Sequence, residues 1–273
     1  MTTAFMFPGQ GSQAVGMGRN LAESFASARA VFDEVDAALG QKLSQLMWEG
    51  PEADLTLTEN AQPALMAVSM AVIRVLEAEH GITVANAARF VAGHSLGEYS
   101  ALAAAGTFSL SDAARLLKTR GKAMQSATPV GTGAMAALLG LDFATAAAAA
   151  AEAAQGEVCQ AANDNSDGQV VVSGTKAAVE RCAEIAKAKG AKRAVMLPVS
   201  APFHCALMQP AADVMADALA KVAMKAPAVP VVANVGAAPL SDPDAIRRSL
   251  VAQVTGTVRW RECVGYMAAE GVT

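Results

Sequence analysis

The sequence predicts an α/β fold: a parallel sheet flanked by helices, with a small βαββαβ module of ferredoxin-like type set into it. Three observations predict it. Apolar runs at residues 4–7 (AFMF) and 90–92 (FVA) each enter a glycine-bearing turn and then a helical stretch, the strand–turn–helix order of parallel sheets. Residues 63–79 carry apolar side chains at helical spacing. Between residues 133 and 197, strand and helix patterns alternate in the order βαββαβ.

Along the chain, the strand at 4–7 ends in the turn PGQGSQ, and a long helical stretch follows to about residue 39. After the helix at 63–79, the strand at 90–92 runs straight into GHSLGE, and a helix spans 112–125. TPVGTG and residues 198–202 bracket the module. It reads as strand 135–139, helix 143–154, strand 158–162, the turn NDNSDG, strand 170–172, helix 176–189 and strand 194–197. The expected division is a core made of 1–130 and 198–273 and a small subdomain at 131–197. Beyond it come a helix at 210–221, a strand at 229–233 and a helix at 241–254. That last helix has Ser241 or Asp242 as N-cap and Pro243 near its first position.

Composition narrows the function classes. The chain has 273 residues, 53% of them hydrophobic but only 4% aromatic, which reflects many alanines rather than an apolar surface. The alanine run at 146–151 is closed by Glu152, so no uninterrupted apolar stretch nears the roughly 18 residues of a membrane span. The start MTTAFMFPGQG lacks a basic region followed by an apolar one, so a cytoplasmic location is expected. A net charge of −4 argues against nucleic-acid binding through a general field. Cys159, Cys182, Cys205 and Cys263 form no CxxC pair, so neither a metal site nor a disulfide framework is expected.

The chemistry starts at Gly93, His94, Ser95, Leu96, Gly97, which fits GxSxG. Small residues two positions either side of the serine let a strand reverse sharply into a helix and hold Oγ clear of the backbone. A serine nucleophile needs a base, and the chain has three histidines. His80 closes a helix as EAEHG, where a cation is a common structural choice. His94 adjoins the serine on an elbow whose neighbouring side chains diverge. Elimination leaves His204, in the proline-stiffened loop PVSAPFHC.

Arg120 falls on the apolar face of its helix with Ala113, Leu116, Leu117 and Met124. Two readings stand: an internal salt bridge or snorkelled arginine, and a bidentate clamp for a substrate carboxylate. The turn at residues 8–13 likewise has two readings, a plain turn or a set of N–H donors aimed at developing negative charge.

Three separated segments, FPGQGSQ at 7–13, GHSLGE at 93–98 and PFHC at 202–205, together closely resemble the malonyl-CoA:acyl-carrier-protein transacylases of bacterial fatty-acid synthesis and the related acyltransferase domains of polyketide synthases. The likeness extends through TENAQPAL at 58–65, KTRGKAMQ at 118–125 and NDNSDGQVVVSG at 163–174. The resemblance implies an α/β-hydrolase-like core with a ferredoxin-like insert. It implies that Ser95 carries the acyl ester, His204 is the base and Arg120 holds the free malonyl carboxylate. By the same resemblance, the N–H groups of Gln10 and Leu96 form the oxyanion hole, Gln253 supports the histidine, and Gln62 and Asn165 are polar pocket groups. Phe203 matches malonyl-selective members, against which a branched acyl group would crowd. The implied partners are malonyl-CoA and acyl carrier protein, with no nucleic acid or membrane and a monomeric chain. No cofactor is implied beyond the coenzyme A thioester as substrate.

Two other readings compete. A serine esterase or thioesterase predicts Asp or Glu behind His204 and has no use for an inward arginine. A non-catalytic module would merely hold coenzyme A or a carrier protein. Members of the resembled family continue beyond a Gly-Val pair, here Gly271 and Val272, through a strand and an EVGPG turn, so loss of a sheet strand, with hydrophobic surface left exposed and stability reduced, is expected of a chain ending at Thr273.

Overall fold

The structure is a computed structural model that describes residues 2–199 and 201–273. Ser200, inside the second junction read from the sequence, and Met1 lie outside the described residues. The chain runs β1 (Ala4–Phe7), α1 (Arg19–Ser24), α2 (Ala26–Leu39), α3 (Leu43–Glu49), α4 (Glu52–Thr56), α5 (Thr58–His80), α6 (Val84–Ala87), β2 (Phe90–Gly93), α7 (Leu96–Ala104) and α8 (Leu110–Ser126). The module follows as β3 (Gly133–Leu139), α9 (Phe143–Ala154), β4 (Cys159–Ser166), β5 (Gln169–Thr175), α10 (Lys176–Ala188) and β6 (Arg193–Met196). After a 3₁₀ turn come α11 (Gln209–Ala220), β7 (Val231–Ala233), β8 (Ala238–Leu240), α12 (Pro243–Gln253) and α13 (Trp260–Ala269).

The first sheet has the order β1-β2-β7-β8, with β1, β2 and β7 parallel. The central strand β2 is buried along its whole length, which is why its sequence is a continuous apolar run rather than an alternation. The sheet is not purely parallel, because β8 returns antiparallel to β7. This strand escapes a sequence reading: it is three residues long and contains Pro239, which an edge strand tolerates because its missing N–H faces away from the ladder.

The long helical stretch expected up to residue 39 is broken in two at Phe25, whose backbone is extended (φ −131°). No proline or glycine marks the break. Phe25 itself packs on the main core. Helix α5 is long and apolar enough to cross a membrane by length and composition, yet half of that window is buried within the fold. It packs against α2, α7 and α8 as the central core helix.

The βαββαβ order at 133–197 is the observed order. Its sheet is antiparallel, β4-β5-β3-β6, so the first strand of the module sits between the third and the fourth. Side chains alternate across it. Ala136, Leu138, Val170 and Val172 face α9 and α10, whereas Met135, Ala137 and Val171 lie on the opposite face with Phe203. Strand β4 exceeds the expected 158–162. The polar run that reads as the turn NDNSDG is strand as far as Ser166, with register shifts at Ala161/Asn163 and Asp164/Ser166. These polar residues find partners near the C-terminal helix: Asp164 N–H donates to Val258 O at 2.9 Å, just before α13, and Arg261 on α13 pairs with the Asp164 carboxylate at 2.8 Å. Bulges of this kind re-aim side chains, and here Asn163 and Asn165 face the cleft between the sheets.

Candidate active site

The turn from β2 into α7 leaves no room for side chains on its flanks. A Cβ on Gly93 would stand 1.9 Å from the Gly97 carbonyl carbon, and one on Gly97 would stand 2.5 Å from Phe7 O. Backbone atoms cannot yield to that, so GxSxG is a steric requirement here. Ser95 at the apex takes φ 54°, ψ −108°, a conformation that an L-residue holds only where its surroundings impose it. Asn234, the residue after β7, imposes it. Its Oδ1 accepts from Ser95 N–H at 2.8 Å, and its Nδ2 donates to Gly93 O at 2.8 Å.

Ser95 Oγ lies 2.8 Å from His204 Nε2, and His204 Nδ1 lies 2.8 Å from the main-chain carbonyl of Gln253. A carbonyl only accepts, so Nδ1 carries the proton and Nε2 presents its lone pair to the serine. Burial, reinforced by the charge of Arg120, pushes the imidazole down to about 3, so it is neutral at physiological pH and its Nε2 lone pair is free to face the serine hydroxyl. The resemblance assigns the support of the histidine to Gln253, and it is that residue's backbone, not its amide, that supplies it. The hydrolase reading demands a carboxylate behind His204, and among the described residues none stands there.

Arg120 on α8 is 1% exposed. Nη1 donates to Gln62 Oε1 at 2.9 Å, and Nη2 donates to Ser95 Oγ at 3.0 Å and to Gln253 Oε1 at 2.9 Å. The guanidinium stands 5.6 Å from the Tyr99 ring centroid, and its buried Nε–H has no partner among the described residues. Among the described residues its hydrogen bonds thus go to amides and a hydroxyl, none to a carboxylate. That excludes the internal salt bridge and the snorkelled arginine. Gly121 brings this helix close: a Cβ there would stand 2.5 Å from Glu59 Cα at the start of α5.

Beneath Ser95, Glu98 is fully buried, and that burial raises its carboxyl to about 7. Sequence reasoning missed Glu98 and Asn234. Glu98 was within the quoted GHSLGE motif, but Asn234 follows a short strand and gives no local signal.

The remaining candidates line a cavity of about 460 Å³ between the two sheets, with Ser95 and Arg120 on its wall. Leu96 heads α7, so its N–H is one of the donors a helix leaves without an internal partner. Gln10 faces the same cavity from the turn after β1, with its side chain near Thr58. Gln62 and half-buried Phe203 also line it. Asn165 receives the His94 ring at 2.9 Å, and Trp260 meets that ring edge-on, so His94 is engaged away from the nucleophile. His80 is exposed at the end of α5. A larger groove of about 540 Å³ between β1 and α5 is lined by apolar residues and two serines, with no base or charge to support chemistry.

The model of the acyl transferase domain family matches residues 4–272. The chain belongs to this acyl transferase family. Among its relatives, the malonyl CoA-acyl carrier protein transacylase of Escherichia coli K12 is 52% identical over 98% of this chain and 86% of its own length. That of Bacillus subtilis strain 168 is 46% identical over 99% and 84%. The crystal structure of the acyl-carrier-protein S-malonyltransferase from Bartonella henselae superposes with TM-score 0.97 at 60% identity, over 100% of this chain and 86% of that one. A malonyl-transacylase solved in complex with its type II PKS acyl-carrier protein gives TM-score 0.95 at 46% identity, over 100% and 87%. For an acyl transferase, a serine backed by a neutral histidine and a buried arginine is a site able to form and hold an anionic acyl ester.

Proposed function

We propose that this acyl transferase moves malonyl from malonyl-CoA to the phosphopantetheine thiol of acyl carrier protein, a step of fatty-acid synthesis. Residues 1–130 and 198–273 supply the nucleophile and its partners, and 131–197 supplies the second wall of the cleft. The observation that carries the reading is Arg120: a buried cation with no carboxylate partner among the described residues, 3.0 Å from the nucleophile. Burying a charge costs free energy unless an anion meets it, and malonyl is an acyl group that brings one.

In the first half-reaction Ser95 Oγ attacks the thioester carbon while His204 Nε2 takes its proton. Negative charge develops on the carbonyl oxygen, which the Leu96 and Gln10 N–H groups face. The C–S bond then breaks, and the imidazolium returns its proton to the departing coenzyme A sulfur. In the second half the carrier's thiol gives its proton to His204 and attacks the ester. Ser95 Oγ recovers that proton as the C–O bond breaks. The free carboxylate lies against Arg120 and Gln62 throughout. Phe203 limits room beside the acyl chain.

The test is to mix the protein with malonyl-CoA, then with acetyl-CoA, and to map adducts before and after adding the phosphopantetheinylated carrier. Malonyl on Ser95 that passes to the carrier supports the proposal. Prompt release of free malonate with no transfer overturns it in favour of the hydrolase.

A further inference from the structure

One buried carboxylate beneath the nucleophile has no part in the transfer steps above. Glu98 lies on α7 one turn beyond Ser95 and is 1% exposed. Its Oε2 accepts from Asn234 N–H at 2.9 Å and from Gln253 Nε2 at 3.0 Å. Gln253 in turn meets Arg120: its Oε1 accepts from Nη2 at 2.9 Å. Carboxylate, carboxamide and guanidinium thus form a continuous chain.

The two ends of a primary amide are alike in shape and opposite in hydrogen bonding. Turned by half a revolution, the Gln253 amide would aim N–H groups at the Arg120 guanidinium, donor against donor in a buried site. Three acceptors oppose that turn: Glu98 Oε2, Ser95 O at 3.0 Å and Asn234 Oδ1 at 3.1 Å. Each of the three is also shared with a main-chain donor, Glu98 Oε2 with Asn234 N–H, Ser95 O with Glu98 N–H and Asn234 Oδ1 with Ser95 N–H. Glu98 is the acidic member of the three, and when ionised it accepts the stronger kind of bond.

We propose that Glu98 is a positioning residue: it locks the Gln253 carboxamide in the orientation that offers oxygen to Arg120, and so sets the guanidinium for the substrate's carboxylate. The inference rests on the malonyl reading of the site. It predicts that losing the acceptor at 98 damages recognition of the anionic acyl group specifically, rather than acylation in general.

The experiment compares Glu98→Ala, Glu98→Gln, Gln253→Ala and the Glu98→Ala/Gln253→Ala double variant. Steady-state and single-turnover acylation are measured with malonyl-CoA and acetyl-CoA, and rates are normalised to the sites labelled by a serine-directed fluorophosphonate. Glu98→Ala is expected to lower malonyl-over-acetyl discrimination roughly tenfold, chiefly through a raised KM for malonyl-CoA. Glu98→Gln, whose amide oxygen accepts from the same two donors, restores most of it. The double variant discriminates no worse than Gln253→Ala alone, as expected of residues acting in series. Should Glu98→Ala be too unstable to assay, Glu98→Met fills the volume without an acceptor and is expected to show the same loss. Wild-type discrimination in the Ala or Met variant, equal impairment of the Gln variant, or additive losses in the double variant would each overturn the proposal. Failure of the wild-type protein to form malonyl-Ser95 would instead overturn the malonyl reading itself.

Discussion

Arg120 Nη2 donates to Ser95 Oγ at 3.0 Å while His204 Nε2 lies 2.8 Å from the same oxygen. The serine hydroxyl, with one proton, gives it to the neutral imidazole and accepts from the guanidinium. The group proposed to hold the substrate's far carboxylate therefore also touches the atom that attacks its near carbonyl. On the proposed function, selectivity and nucleophilicity share one cation.

Replacing Arg120 with alanine is expected to lower kcat/KM for malonyl-CoA by on the order of a hundredfold or more, the usual scale for losing a buried charge-assisted contact. Acetyl-CoA is expected to lose far less, so preference shifts toward neutral acyl groups. Paired kinetics with the two thioesters check this, and an unchanged ratio contradicts the clamp.

His204→Ala is expected to slow acylation of Ser95 by about a hundred- to ten-thousandfold, the range for a positioned general base. Ser95→Ala removes the adduct altogether. Quenched-flow mass spectrometry of the acylated protein reads both. A His204 variant that acylates at the wild-type rate would exclude this histidine as the base.

His204 and Glu98, both buried, oppose each other in pH dependence. His204, held near 3 against an ordinary 6.5, gives stability that is present above 6.5 and is lost as pH falls toward 3. Glu98, raised to about 7 from 4.5, gives stability that is full below 4.5 and is lost as pH rises to 7. Glu98→Gln removes the second contribution alone. Its stability relative to wild type is therefore expected to improve between pH 4.5 and 7, by about 3 kcal/mol at most. Urea unfolding at pH 5 and pH 8 measures this, and a difference that does not vary with pH contradicts the raised carboxyl.

Gly121→Ala tests how α8 delivers Arg120. The added Cβ would meet the Glu59 backbone at 2.5 Å, so α8 and α5 must separate. A loss of about 1–3 kcal/mol is expected from overpacking, together with weaker malonyl preference as the guanidinium shifts. Thermal unfolding and the malonyl-to-acetyl ratio should change together.

Much of this was legible in the sequence, for reasons that differ residue by residue. GxSxG can be read because the clash at Gly93 and Gly97 is local, and Arg120 because a cation on an apolar helix face is anomalous wherever it occurs. The cap at Asp242 is likewise local. What stayed hidden depends on tertiary pairing. The polar stretch Asn163–Ser166 reads as a turn because its partners, Val258 and Arg261, lie about a hundred residues away. Asn234 and the carbonyl of Gln253 act through positions that no spacing marks, and Glu98 acts through a network closed by three distant segments.

The most direct measurement is peptide mapping of the protein after brief exposure to malonyl-CoA, followed by a chase with phosphopantetheinylated acyl carrier protein. The account predicts malonyl on Ser95 alone, then its quantitative appearance on the carrier's thiol. A carrier that becomes malonylated without any ester on Ser95, or an ester that only water can discharge, would contradict it.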